Sequence, residues 1–115
     1  IMLIEYMFKR MNNIVSKLIV YPERMLKNIY LTHGVIFSQR VMSMLIKKDL
    51  SREEAYDLVQ VLAQKSYNED ISFIDLVKNQ PIIKQLLTEE EVESCFTLDY
   101  YMKSVDEIYH RVGIK

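Results

Sequence analysis

Two histidines, one cysteine, two helix-embedded serines and one run of acids are the side chains here whose types could do chemistry. His33 and His110 lie far apart in the chain. Neither has a ligand-type neighbour three or four residues away that makes a recognisable metal motif, and metal sites need such clustering. No metal ligand is therefore assigned, and His110, near a helix end, reads as a favourable partner for the helix dipole. Nucleophilic catalysis needs Ser or Cys beside a base. Ser38, Ser43 and Cys95 sit in no such context. Both serines are expected to bond back to their own helix, and Cys95, beside Phe96, to be a small core residue. Two glycines cannot build a phosphate-cradling loop. Glu89-Glu90-Glu91 pairs carboxylates in sequence, but acids in a first helical turn complement the dipole and need no catalytic role. No catalytic residue, metal or cofactor is assigned.

The segment Phe37-Ser38-Gln39-Arg40 is less ordinary. It interrupts a run that reads Val35, Ile36, Phe37 and then Val41, Met42, Met44 and Leu45. Gln39 and Arg40 either face a neighbouring domain or an acidic ligand, or form a solvated helical face. The seven methionines read as core filler rather than a docking groove.

Positioning any of these residues requires a core, and 115 residues, half of them hydrophobic, suffice for one domain. A net charge of −1 with scattered Lys and Arg argues against nucleic acid, which selects a basic stripe. One cysteine forms no intrachain disulfide and fits a reducing cytoplasm. No stretch approaches the ~20 apolar residues of a membrane span, and Glu5, Lys9 and Arg10 break any signal-peptide pattern. The sequence opens on Ile1 rather than Met, so further residues are expected upstream.

With two glycines and two prolines there are few turn signals, and apolar residues recur at threes and fours. The fold class is all-α. Ile4, Phe8, Met11, Val15 and Leu18 form a bundle seam on a first helix over about residues 1–19, widened by Leu3, Met7 and Ile14. So wide a face needs partners on several sides. Helices are expected over Pro22–Leu31, from Gly34 to Lys48, and from Ser51 to about Tyr67 with Ala55, Leu58, Val59, Leu62 and Ala63 inward. Short helices follow at 72–79 and 81–87, then one from Thr88 to Phe96, and a last one stopped by Gly113. Capping boxes are expected at Ser51/Glu54, Thr88/Glu91 and Ser104/Glu107. The division expected is residues 1–20 as the end of a central helical bundle, and 21–115 as a compact C-terminal domain of about six short helices.

Several blocks then form a pattern: Tyr21-Pro22-Glu23-Arg24-Met25 with Asn28; Gly34 through Val41; Leu50 through Asp57 with Val59-Gln60; Cys95-Phe96, Asp99-Tyr100, Val105-Asp106, Ile108 and Arg111-Val112-Gly113. Their order and spacing resemble the C-terminal region of the adenylosuccinate lyase family, in the fumarase/aspartase superfamily, over nearly the whole chain. Residues 1–20, with Asn12-Asn13-Ile14-Val15, resemble the exit of that family's long central helical domain. Asp49 departs from the usual Gly, and Ser66-Tyr67 from the common Ala-Trp. The resemblance implies an enzyme of purine synthesis that eliminates fumarate from adenylosuccinate and from the related carboxamide ribotide. It also implies acid–base chemistry without a cofactor and a homotetramer with shared active sites. The family's serine-loop signature, Ser-Ser-x-Met-Pro-x-Lys-x-Asn, is absent from this sequence. Its phosphate-site segment and catalytic histidines lie upstream of the part that Ile1 begins. No catalytic residue is carried over; the segment reads as structural, capping the active-site region. The other reading is a non-catalytic helical interaction module that docks through its first helix.

Overall fold

Helix-forming periodicity and scarce turn residues lead to a chain without sheet. The computed structural model describes residues 1–114, and among these there is no strand. The elements are α1 (Met2–Ser16), α2 (Pro22–Ile29), a 3-10 turn (Val35–Phe37), α3 (Ser38–Lys47), α4 (Arg52–Glu69), α5 (Phe73–Asn79), α6 (Pro81–Leu86), α7 (Glu89–Cys95), α8 (Asp99–Met102) and α9 (Val105–Arg111). Pro22 and Pro81 open α2 and α6, where a missing N–H costs nothing.

Two of the three expected capping boxes form. Ser51 and Thr88 have extended backbones, and each hydroxyl accepts from the amide three residues on (Glu54 and Glu91), whose carboxylates accept in return. The Ser104 box does not form. Its φ of −100° and ψ of 0° leave the extended region a cap requires, and Glu107 instead pairs with Arg111 at 2.9 Å. Other expectations shift as well. The first helix stops at Ser16, with Lys17 as its C-cap, rather than running to about residue 19. The segment from Gly34 enters as a 3-10 turn and becomes α-helical only at Ser38. The region after Tyr21 holds eight α-helices rather than about six, α8 having no counterpart in the sequence reading.

The core is aliphatic and built by α3 to α7. Val41 and Leu45 of α3 meet Ala55, Val59 and Leu62 of α4, Phe73 and Val77 of α5, Ile83 of α6, and Val92 and Cys95 of α7. Leu58 and Ala63 pack at its edge, so the expected inward face of α4 is the observed one. Ser66, also fully buried on α4, donates to the Ile71 carbonyl at 2.6 Å. Its hydroxyl is satisfied, which explains how a polar residue is tolerated in the core.

α1, α2, α8 and α9 bury no residue. The radius of gyration is 19.9 Å, against roughly 13 Å for a compact chain this long, and the longest dimension is 63 Å. The excess reflects α1, whose seam residues Ile4, Phe8, Met11, Val15 and Leu18 are all exposed.

A helix end accounts for Asp49, which the sequence leaves unexplained. Asp49 has φ +66°, the amide of Leu50 donates to Leu45 and that of Asp49 to Ile46. This is the glycine-type C-terminal motif, made here by an L-residue. The same paired bonds at Ile114 and Gly113 close α9, where glycine supplies the positive φ. Because a non-glycine residue is strained there, Asp49→Gly is expected to raise stability by about 0.5 kcal/mol, net of the added freedom of the unfolded chain. Equal or lower stability on chemical denaturation would contradict this origin of strain.

Candidate functional site

The residues that could do chemistry are scattered by the fold, and most are engaged. The His33 Nε2 lies 2.8 Å from the Asp70 carboxylate, and the His33 carbonyl accepts from Phe73 at 2.9 Å. His33 and Asp70 both have positive φ, as does Gly34. The pair thus joins two sharp turns: the entry to the 3-10 turn and the end of α4. His110 lies in the last turn of α9, exposed, where a cation favours the dipole. Cys95 is buried in the core and its thiol points to the Glu91 carbonyl at 3.3 Å. Burial pushes that thiol's pKa up, the opposite of what an attacking thiolate needs. The Ser43 hydroxyl donates to the Gln39 carbonyl at 2.9 Å, the expected bond back to the helix, whereas Ser38, the first residue of α3, makes no such bond among the described residues. Among the described residues no three His, Cys, Asp or Glu side chains gather as metal ligands would, and no helix is long and apolar enough to cross a membrane.

Glu91 does the work of a cap. It accepts from the Thr88 amide at 3.0 Å and from Lys48 at 2.7 Å. The Lys48 hydrogen bond, with the Thr88 amide second, holds its carboxyl below the ordinary value of 4.5. Glu54 is lowered likewise by Ser51.

The segment around Arg40 is where the structure concentrates unusual polarity. The Arg40 guanidinium lies over the ring of Tyr100 of α8, its Cζ 3.7 Å from the ring centroid. Lys103 reaches the same ring, 4.8 Å from the centroid. Beneath them, Phe37 is fully buried with ring centroids of Tyr30 at 6.2 Å, Phe96 at 5.6 Å and Tyr101 at 6.3 Å. Arg40 is half-buried rather than a solvated face. The sequence marked Arg40, but nothing in it identified Tyr100, sixty residues on, as the ring beneath it.

A recess of about 600 Å³ is lined by Ile4, Met7, Phe8, Met11 and Ile14 of α1 alone. It is an uncovered helix face, not an enclosed pocket. A smaller one, about 390 Å³, lies between Tyr30, His33, Phe37, Ser72 and Phe96. It brings together no acid–base pair.

These features define an all-α domain whose reactive side chains serve its own scaffold and whose terminal helices lack cover. Residues 34–112 match the family model described as adenylosuccinate lyase C-terminus, and the chain belongs to that family. It is 46% identical over 112 residues to adenylosuccinate lyase of Streptococcus mutans, covering 97% of this chain and 26% of that protein. The corresponding enzymes of Thermotoga maritima and Bacillus subtilis are 45% and 41% identical, over 92% and 96% of this chain and 25% and 26% of theirs. The chain therefore spans about a quarter of the length of these curated relatives.

Two predictions follow from the geometry. Replacing Arg40 by Ala removes the stack that holds α8 to α3. Amide exchange of α8 and α9 is then expected to quicken roughly 2- to 30-fold, the range of a cation–π contact, with α4 unchanged. Unchanged exchange there would show the stack holds nothing. The lowered carboxyls of Glu91 and Glu54 stabilise the fold above pH 4.5, and this is lost as pH falls through their depressed values. Glu91→Gln should therefore flatten the loss of melting temperature on acidification below pH 4.5; an identical slope would remove Glu91 from that account.

Proposed function

We propose that this chain is the C-terminal part of an adenylosuccinate lyase, the enzyme that eliminates fumarate from adenylosuccinate and from succinylaminoimidazole carboxamide ribotide in purine synthesis. The family match over residues 34–112 carries the reading. Within it, residues 1–20 are the end of the central helical bundle and residues 21–115 the C-terminal domain. The full enzyme is a cytoplasmic homotetramer acting on a nucleotide without a cofactor.

The segment's role is packing and closure rather than bond cleavage. Elimination needs a base at the carbon acid, an acid at the leaving nitrogen and an anchor for the phosphate, all within hydrogen-bond reach. The imidazole of His33 is tied to Asp70, His110 is exposed on a separate helix, and the cysteine is sealed in the core. The open face of α1 supports its assignment to a bundle. Its exposed residues Ile4, Phe8, Met11, Val15 and Leu18 form one stripe, larger than a solvated helix retains without a partner.

The isolated chain is expected to release no fumarate from adenylosuccinate, followed by ultraviolet absorbance. In the full-length enzyme, His33→Ala and His110→Ala are expected to leave the chemical step nearly intact. Loss of a true acid or base lowers the rate by roughly 10²- to 10⁴-fold. A drop of that size with the fold intact overturns the assignment. The bundle role is checked separately by sedimentation: the chain alone should self-associate, and Phe8→Asp should relieve it. A clean monomer at high concentration would contradict it and leave the family match untouched.

A further inference from the structure

Only two cations of this chain are half-buried among the described residues, Lys78 and Arg40. Lys78 has its acid, Glu93, at 2.7 Å. Lys48, somewhat more exposed, has Glu91. Arg40 has none: it takes part in no ion pair or hydrogen bond among the described residues, and its Nε is buried without a partner. Of its three nitrogens only Nε is sealed in this way, so the two terminal ones stay open. A guanidinium stripped of part of its hydration, with no counter-charge, is costly unless something supplies one.

The surroundings add a second positive charge instead of a negative one. Lys103 lies over the same Tyr100 ring as Arg40, and it too has no acidic partner within ion-pair distance among the described residues. Asp99, the adjacent acid in sequence, forms no ion pair with either. The contact with Tyr100 holds the guanidinium in place, and its terminal nitrogens are the donors an oxyanion accepts from. Two like charges held within 5 Å of one ring centroid, neither with an acidic partner, are stabilised by an anion brought near them.

We propose that Arg40 and Lys103, set by the Tyr100 ring, form an oxyanion site, taking a phosphate or carboxylate group from a soluble ligand or from an acidic side chain of adjoining polypeptide. The site joins α3 to α8, so an anion bound there also fastens the terminal helices to the core.

Titration of the chain with inorganic phosphate, and separately with succinate, tests it, read by amide resonances in a heteronuclear spectrum. Saturable shifts at residues 40, 100 and 103 in the millimolar range are expected, weakened at least tenfold by Lys103→Gln, an exposed change that spares the fold, and by Arg40→Gln. Absence of shifts at these residues to tens of millimolar, or equal binding by Lys103→Gln, overturns the site. The source is settled in the full-length protein, an arm that rests on the function proposed above. Phosphate binding retained there assigns the site to a soluble ligand, and binding abolished there but restored on cutting out this chain assigns it to an internal carboxylate.

Discussion

The ring of Phe37 has no exposed surface, and the end of α2, the end of α7 and α8 all meet on it. It touches Tyr30 at the end of α2, Phe96 after α7 and Tyr101 in α8; Phe96 in turn meets Phe73 of α5 at 5.9 Å. Such tilted aromatic contacts contribute roughly 0.5–1.5 kcal/mol each beyond the area they bury. α8 has four residues and α9 seven, far below the length at which a helix holds in water by propensity. α8 is held because Tyr100 and Tyr101 dock on Arg40 and Phe37. The left-handed turn at His33 and Gly34 makes this possible, since it aims the 3-10 turn so that Phe37 faces inward.

The larger, mainly aliphatic core joins this cluster through Phe73 and Phe96. It is closed by α3, α4, α5, α6 and α7, with Lys48–Glu91 and Lys78–Glu93 bridging its rim. Exposed ion pairs of this kind contribute at most about 1 kcal/mol. Their larger effect is on register, because Glu91 accepts from Lys48 and from the Thr88 amide at once. Helix capping and interhelix contact are thereby the same interaction. The domain holds together around this core while α1 extends away from it, its apolar stripe uncovered by any of the described residues.

Much of this was legible because it is local. The Ser51 and Thr88 boxes follow from residues three apart, and the inward face of α4 follows from its periodicity. The Ser104 box failed on backbone grounds: its residue types were right, but the short connection from α8 holds Ser104 out of the extended region. The 3-10 entry to α3 and the four-residue α8 were unreadable, since both lack periodicity and are held by rings elsewhere in the chain.

The candidate site divides in the same way. Composition and spacing alone determined that the chain is helical, that its histidines and cysteine do not assemble a motif, and that its first helix presents more apolar surface than it can cover. Those properties depend on a residue and its neighbours within a turn or two. Only the tertiary structure decided that Arg40 lies on Tyr100 without a counter-charge, that His33 closes on Asp70, and that Asp49 occupies a glycine's conformation. Each of these depends on where distant segments or a helix end come to rest, and that is set by the packing of the whole core rather than by any local pattern.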